Sequence, residues 1–149
     1  MVIIDEIKDI CVEQLGLPFM YESVSMGNVK LDRQRQFPMA LLLTVTDWSV
    51  DNSVGTLNET ANIRLFFLNR DERRPKIDYD ATHTQTMIDK CKDYALNFIH
   101  EVNKSKTVGF QDEMIQIQSV IDYDDVNVCG VVVMATIREI RGKCTPIIP

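Results

Sequence analysis

The sequence predicts a single α+β domain: a mostly antiparallel sheet packed by one long helix and a short N-terminal helix, in the order α-β-β-β-α-β-β. Three observations predict it. Apolar residues recur at helical spacing throughout 82–102, while apolar alternation marks the segments 37–46, 60–69, 114–121 and 128–140. The chain has 149 residues, and single domains cluster near ~100–150. Its 45% hydrophobic and 26% charged residues are those of an ordinary globular protein, not of a disordered one.

Segment 2–15 carries Ile3, Ile4, Ile7, Ile10, Cys11 and Leu15 on one helical face, with Asp5, Glu6, Lys8, Asp9 and Glu13 mostly elsewhere. Gly16 ends this helix and Pro18 forbids its continuation. Segment 19–31 reads as an irregular strand with Gly27-Asn28 as a turn. In 37–46, Phe37, Met39, Leu41, Leu43 and Val45 form one face, and Ala40 and Leu42 make the other apolar as well. That is the pattern of a central strand covered on both sides for part of its length.

The polar stretch 47–59, with Asp51-Asn52-Ser53 and Gly55, reads as a loop too long for a tight hairpin. Segment 60–69 alternates Ala61, Ile63, Leu65 and Phe67 against Asn62, Arg64, Phe66 and Leu68, and Asp71-Glu-Arg-Arg-Pro75 breaks it. The long helix opens with the capping-box form Thr82-x-x-Gln85, with Asp80 as a competing N-cap. Its apolar set is Met87, Ile88, Cys91, Tyr94, Ala95, Phe98, Ile99 and Val102. Segments 114–121 and 128–140 form a hairpin turned by Tyr123-Asp-Asp-Val-Asn127, and 142–149 is an extended C-terminal tail. Only the crossover through the long helix is long enough to join parallel strands, so the rest of the sheet is expected to be antiparallel.

Composition excludes several functions. Sixteen Lys+Arg against 22 Asp+Glu leave −6, the wrong sign for a protein that coats nucleic acid by releasing counterions. No apolar run approaches the ~20 residues of a bilayer span, and Met1-Val-Ile-Ile-Asp-Glu lacks the basic start of a signal peptide. The expected compartment is reducing, which disfavours disulfides and leaves the sequons at Asn58 and Asn103 unused. Cys11, Cys91, Cys129 and Cys144 form no C-x-x-C pair, and His83 and His100 are the only histidines, so no closed zinc site is expected. Cys11 and Cys91 fall on apolar helix faces, where a thiol is a small hydrophobe.

A catalytic constellation is equally hard to find. His83 reads as a solvated first-turn residue, and His100 sits near a helix C-terminus that suits a partly cationic imidazole. Asp122, Asp124 and Asp125 lack the calcium-loop spacing and suit a turn. No phosphate-binding glycine loop or nucleophile elbow occurs. Catalytic, cofactor and metal residues are therefore expected to be none.

Two features are left. Arg70, Arg73, Arg74 and Lys76, with Lys30, Arg33 and Arg35, concentrate positive charge in an acidic chain, as solvated loop ends or as a recognition patch. The tail Thr145-Pro-Ile-Ile-Pro149 places Ile147 and Ile148 on a terminal extension, suited to docking on its own domain or on a neighbour.

In element order the chain resembles the tail-terminator and tail-completion proteins of tailed bacteriophages. The resemblance rests on the short N-terminal helix, the apolar strand 37–46, the strand 61–69, the single long helix and the closing hairpin, where Asp122 precedes Gly130-Val-Val-Val. It covers about residues 2–141; the irregular second segment and the isoleucine tail depart from it. It implies a structural virion protein of the phage neck, a ring subunit, usually hexameric, joining head and tail around the DNA channel. It carries over no catalytic residues. Its implied partners are copies of itself, other neck or tail proteins, and DNA passing without sequence-specific binding, with no membrane. The implied location is the virion, and the host cytoplasm during assembly. Contact candidates are Asp47, Trp48, Asp51 and Asn52 in the polar stretch, Arg70, Arg73 and Arg74, and Ile147 and Ile148. Two other readings stay open: a small cytosolic binding or adaptor domain without catalysis, and an enzyme whose site is assembled between subunits.

Overall fold

A computed structural model describes residues 2–22, 37–51, 57–70, 81–121 and 128–140. Helix α1 (Val2–Asp9) runs into a π-helical turn (Ile10–Gln14), closed where the Leu15 N–H donates to the Ile10 carbonyl at 3.1 Å. Ile3, Ile7, Ile10 and Cys11 are buried, and Gly16 ends the helix at φ 68°, the left-handed region that glycine enters without steric cost.

The strands are β1 (Phe19–Glu22), β2 (Met39–Leu43), β3 (Trp48–Asp51), β4 (Asn58–Arg70), β5 (Val108–Phe110), β6 (Gln116–Val120) and β7 (Val128–Glu139), with the long helix α2 (Ala81–Lys104) between β4 and β5. They form one sheet of order β1-β2-β4-β7-β5, with β3 also on β4 and β6 also on β7. The α+β architecture is the one the sequence predicts, with two added strands, β3 and β5. Thr82 lies inside α2, so the helix starts ahead of the Thr82-x-x-Gln85 box, and Gln85 instead donates to Asp89 Oδ1 at 2.9 Å.

One expectation is corrected. Among the described residues the only parallel pair is β1 with β2, and not strands joined through the long helix. The α2 crossover does return the chain in the direction of β4, but β7 inserts between β4 and β5 and makes every contact there antiparallel.

Helix-side residues Ala61, Ile63, Leu65 and Phe67 of β4 and Val131, Val133 and Ile137 of β7 meet Ile88, Cys91, Ala95, Phe98 and Val102 of α2 in the main core. The other face holds a second cluster, including Met20, Leu41, Phe66, Leu68 and Val132. All five residues of β2 are buried, as its two-sided apolar pattern predicts.

Register explains the shape of the sheet. Leu42 pairs Leu65 and Trp48 pairs Ala61, so the five residues 43–47 face the three residues 62–64. Across the sheet Phe110 pairs Ile137 and Gln116 pairs Met134, so 111–115 face only 135 and 136. Extra residues on one strand of a pair make a bulge. Both bulges fall at the level where Ile63 pairs Ala135, and they split each flank of the β4–β7 core pair into two short strands.

Candidate functional site

The polar stretch 47–59 is a hairpin and not simply a loop: β3 returns on the first residues of β4. Its phase is set where the Asn62 N–H donates to the Asp47 carbonyl at 3.2 Å. Trp48 faces the helix side, half-buried against the core, opposite Ala61, whose small side chain leaves room for the indole. Beyond Trp48 burial falls away. Val50 and Leu57 are each 54% exposed, so this end of the hairpin is an exposed arm at the edge of the sheet.

Of the predicted contact residues, Asp47, Trp48 and Asp51 come together on this arm. Arg70 does not join them. It lies at the opposite end of β4, about 26–40 Å away at strand rise. There its guanidinium carbon stands 4.9 Å from the centre of the Phe37 ring, a cation–π contact across β2 and β4, which makes Arg70 half-buried and not a solvated loop end. Asn52, Arg73, Arg74, Ile147 and Ile148 lie outside the described residues, as do the Tyr123–Asn127 turn and Cys144.

The outer face below the apolar cluster is polar. One open depression of about 530 Å³ is lined by Ser49, Asp51, Asn58, Thr60, Gln111 and Arg138, among others. Asn58 Oδ1 is buried there with no donor among the described residues. A second, of about 430 Å³, lies at the level of the bulges, between Thr44 and Asp47 on one flank and Asp112 on the other. On its floor Thr136 Oγ1 donates to Asn62 Oδ1 at 2.5 Å. Neither depression is lined by a histidine or cysteine. Among the described residues, no three His, Cys, Asp or Glu side chains are grouped to hold a metal.

The described thiols, Cys11, Cys91 and Cys129, belong to the core. Burial raises the Cys11 thiol well above its ordinary value. Burial first, then Cys129 alongside, pushes Cys91 up to about 12, against a smaller opposing effect of Lys90. Neither is a nucleophilic thiolate at neutral pH. Cys91 Sγ lies 4.0 Å from the Cys129 carbonyl, within the core.

Sequence reasoning missed the strand character of β3 and β5. The signal was present in the alternation Trp48-x-Val50 and in Val108-x-Phe110, both too short to stand out from their polar surroundings. No protein-family model matches this chain, and no curated protein is significantly similar to it.

Proposed function

We propose that this chain is a structural subunit of a tailed-phage neck, a tail terminator or head–tail connector whose copies form a ring around the DNA channel, without catalysis of its own. The observation that carries the reading is the β3–β4 arm. It leaves Val50 and Leu57 exposed at the edge of a sheet anchored by the long β4–β7 ladder, where a rigid body can meet a neighbour. The element order supports it as well, and a net charge of −6 suits a channel wall that DNA passes without adhering. In this reading the partners are further copies of the chain and adjoining neck or tail proteins, and the location is the virion, reached from the host cytoplasm.

Light scattering and electron microscopy of the purified protein test this. Ring-shaped particles with a mass several times 17.1 kDa are expected. A strictly monomeric protein that binds a small polar molecule beside Asn58 would overturn the ring and favour a binding domain.

A further inference from the structure

We propose that the sheet continues from one copy of this chain into the next, β3 of one copy adding antiparallel to β5 of its neighbour, with Trp48 opposite Phe110 and Val50 opposite Val108. The inference rests on the ring reading and names the contact through which copies would join.

At the level of the arm the sheet is four strands wide. Its rows run Trp48–Ala61–Ile137–Phe110 and Ser49–Thr60–Arg138–Gly109. An even number of antiparallel strands gives the two outer strands opposite directions, so one edge fits the other without reversing either copy.

The hydrogen-bonding phase fits too. Antiparallel strands turn alternate residues' N–H and C=O groups toward and away from a partner. The Asn62–Asp47 bond shows that Asp47, and with it Ser49 and Asp51, turns toward β4; Trp48 and Val50 therefore turn their backbone groups outward. On the far edge Ile140 N–H donates to the Thr107 carbonyl at 2.7 Å and Gln111 N–H to the Thr136 carbonyl at 2.9 Å. Thr107, Gly109 and Gln111 thus turn toward β7, and Val108 and Phe110 turn outward. Among the described residues no strand pairs with the outer edge of β3 or of β5.

Side chains agree with this register. Trp48 and Phe110 both lie on the helix side, half-buried against the main core, so they would form a cross-strand aromatic pair. Val50, 54% exposed, would be covered beside the buried Val108. The pairs between them, Ser49 with Gly109 and Asp51 with Thr107, set no like charges opposite each other. A second copy is the occupant because its edge matches this one in direction, phase, face and chemistry together. The contact is heterologous, and such contacts close into rings when the rotation between copies allows it.

Val50→Pro removes only an outward N–H and an exposed side chain, and edge strands accept proline on that side. The second probe, in a Cys144→Ser background, combines Asp51→Cys with Thr107→Cys. These positions would be a close, non-hydrogen-bonded pair between copies, within disulfide reach. Within one copy they sit on opposite edges about 14 Å apart, at ordinary strand spacing. Oxidation is expected to give a ladder of linked copies on a non-reducing gel, and Val50→Pro to reduce the particle mass to that of the monomer with circular dichroism and melting unchanged. An assembly that survives Val50→Pro, or that fails to cross-link at 51 and 107, overturns this contact and leaves the ring reading standing. Should Val50→Pro fail to fold, the cysteine pair alone decides. A wild-type protein that is monomeric at every concentration overturns both.

Discussion

Phe98 of α2 packs tilted on Phe67 of β4, ring centroids 5.9 Å apart and planes at 55°, with no solvent reaching either ring. Phe110 meets the other side of Phe98 edge-on at 6.5 Å, and Tyr94 lies over Phe67 at 6.5 Å. Truncating Phe98 would leave a cavity between the helix and the sheet that neither layer can close. Phe98→Ala should cost ~3–5 kcal/mol, measured by denaturant unfolding. A midpoint unchanged within error would mean that the helix packs on another face.

Gly130 sits in β7 opposite Leu68, and the Phe67 carbonyl of the neighbouring strand occupies the space a side chain there would need. A Cβ there would overlap that carbonyl oxygen and crowd the Leu68 backbone, and backbone cannot swing aside as a side chain can. Gly130→Ala should therefore destabilise by more than ~1–3 kcal/mol, the usual cost of overpacking, or abolish soluble expression. Gly16→Ala, with open space around its Cβ position but φ at 68°, should cost only about 1 kcal/mol, the strain of the left-handed backbone. Thermal melts of the two variants side by side check the ranking.

Ser105 links the chain's first helix to the end of its long one. Its hydroxyl donates to Glu6 Oε1 at 3.2 Å and accepts the N–H groups of Thr107 at 3.1 Å and Val108 at 3.3 Å. Ser105→Ala should lose about 1–2 kcal/mol, since single hydrogen bonds contribute ~0.5–1.5 and these are partly exposed. A double-mutant cycle with Glu6→Ala should give a coupling below about 1 kcal/mol, as expected of one partly solvated bond. Strict additivity of the two changes would show that the link is not made in solution.

The buried thiols predict an alkaline limit. Cys91 is raised by burial, and further by Cys129, from 9.0 to about 12, and Cys11 shifts the same way by burial. Above about pH 9 the unfolded chain releases thiol protons that the folded chain keeps, so the unfolded state binds fewer protons and stability falls as pH rises. For Cys91 this loss runs from pH 9.0 toward about 12. Below pH 9 these groups contribute no slope. The unfolding midpoint should be lower at about pH 10 than at about pH 8, and Cys91→Ala should flatten that difference. An equal slope in the variant would assign alkaline loss to other groups.

Sequence legibility followed the length of each periodic run. α2 shows its face over many turns, and β4 and β7 each alternate long enough to fix which side chains point to the core. β5 is three residues with a glycine at its centre and exists only because β7 offers it a ladder. β3 has a single core contact, Trp48, and its remaining residues are half-exposed or polar, so a tertiary partner decides its conformation. The parallel placement of β1 on β2 depends on a chain path that no local pattern encodes. Among the predicted contact residues, Asp47, Trp48 and Asp51 were readable as a group because they are neighbours in sequence. Arg70 stands apart from them, and its contact with Phe37 was not legible because that ring lies far away along the chain.

The paired bulges also bear on fibril formation. An open sheet edge is a template for cross-β stacking, and the segments that seed such fibrils are typically about six or seven residues of continuous strand. Here the outer strands β1, β3, β5 and β6 run for only four, four, three and five residues. Where residues 43–47 and 111–115 swell out of register, the ladder breaks on both sides of the sheet at once. An unrelated extended chain landing on either side would lose its hydrogen bonds at that break, before it could nucleate a longer stack on β4 and β7.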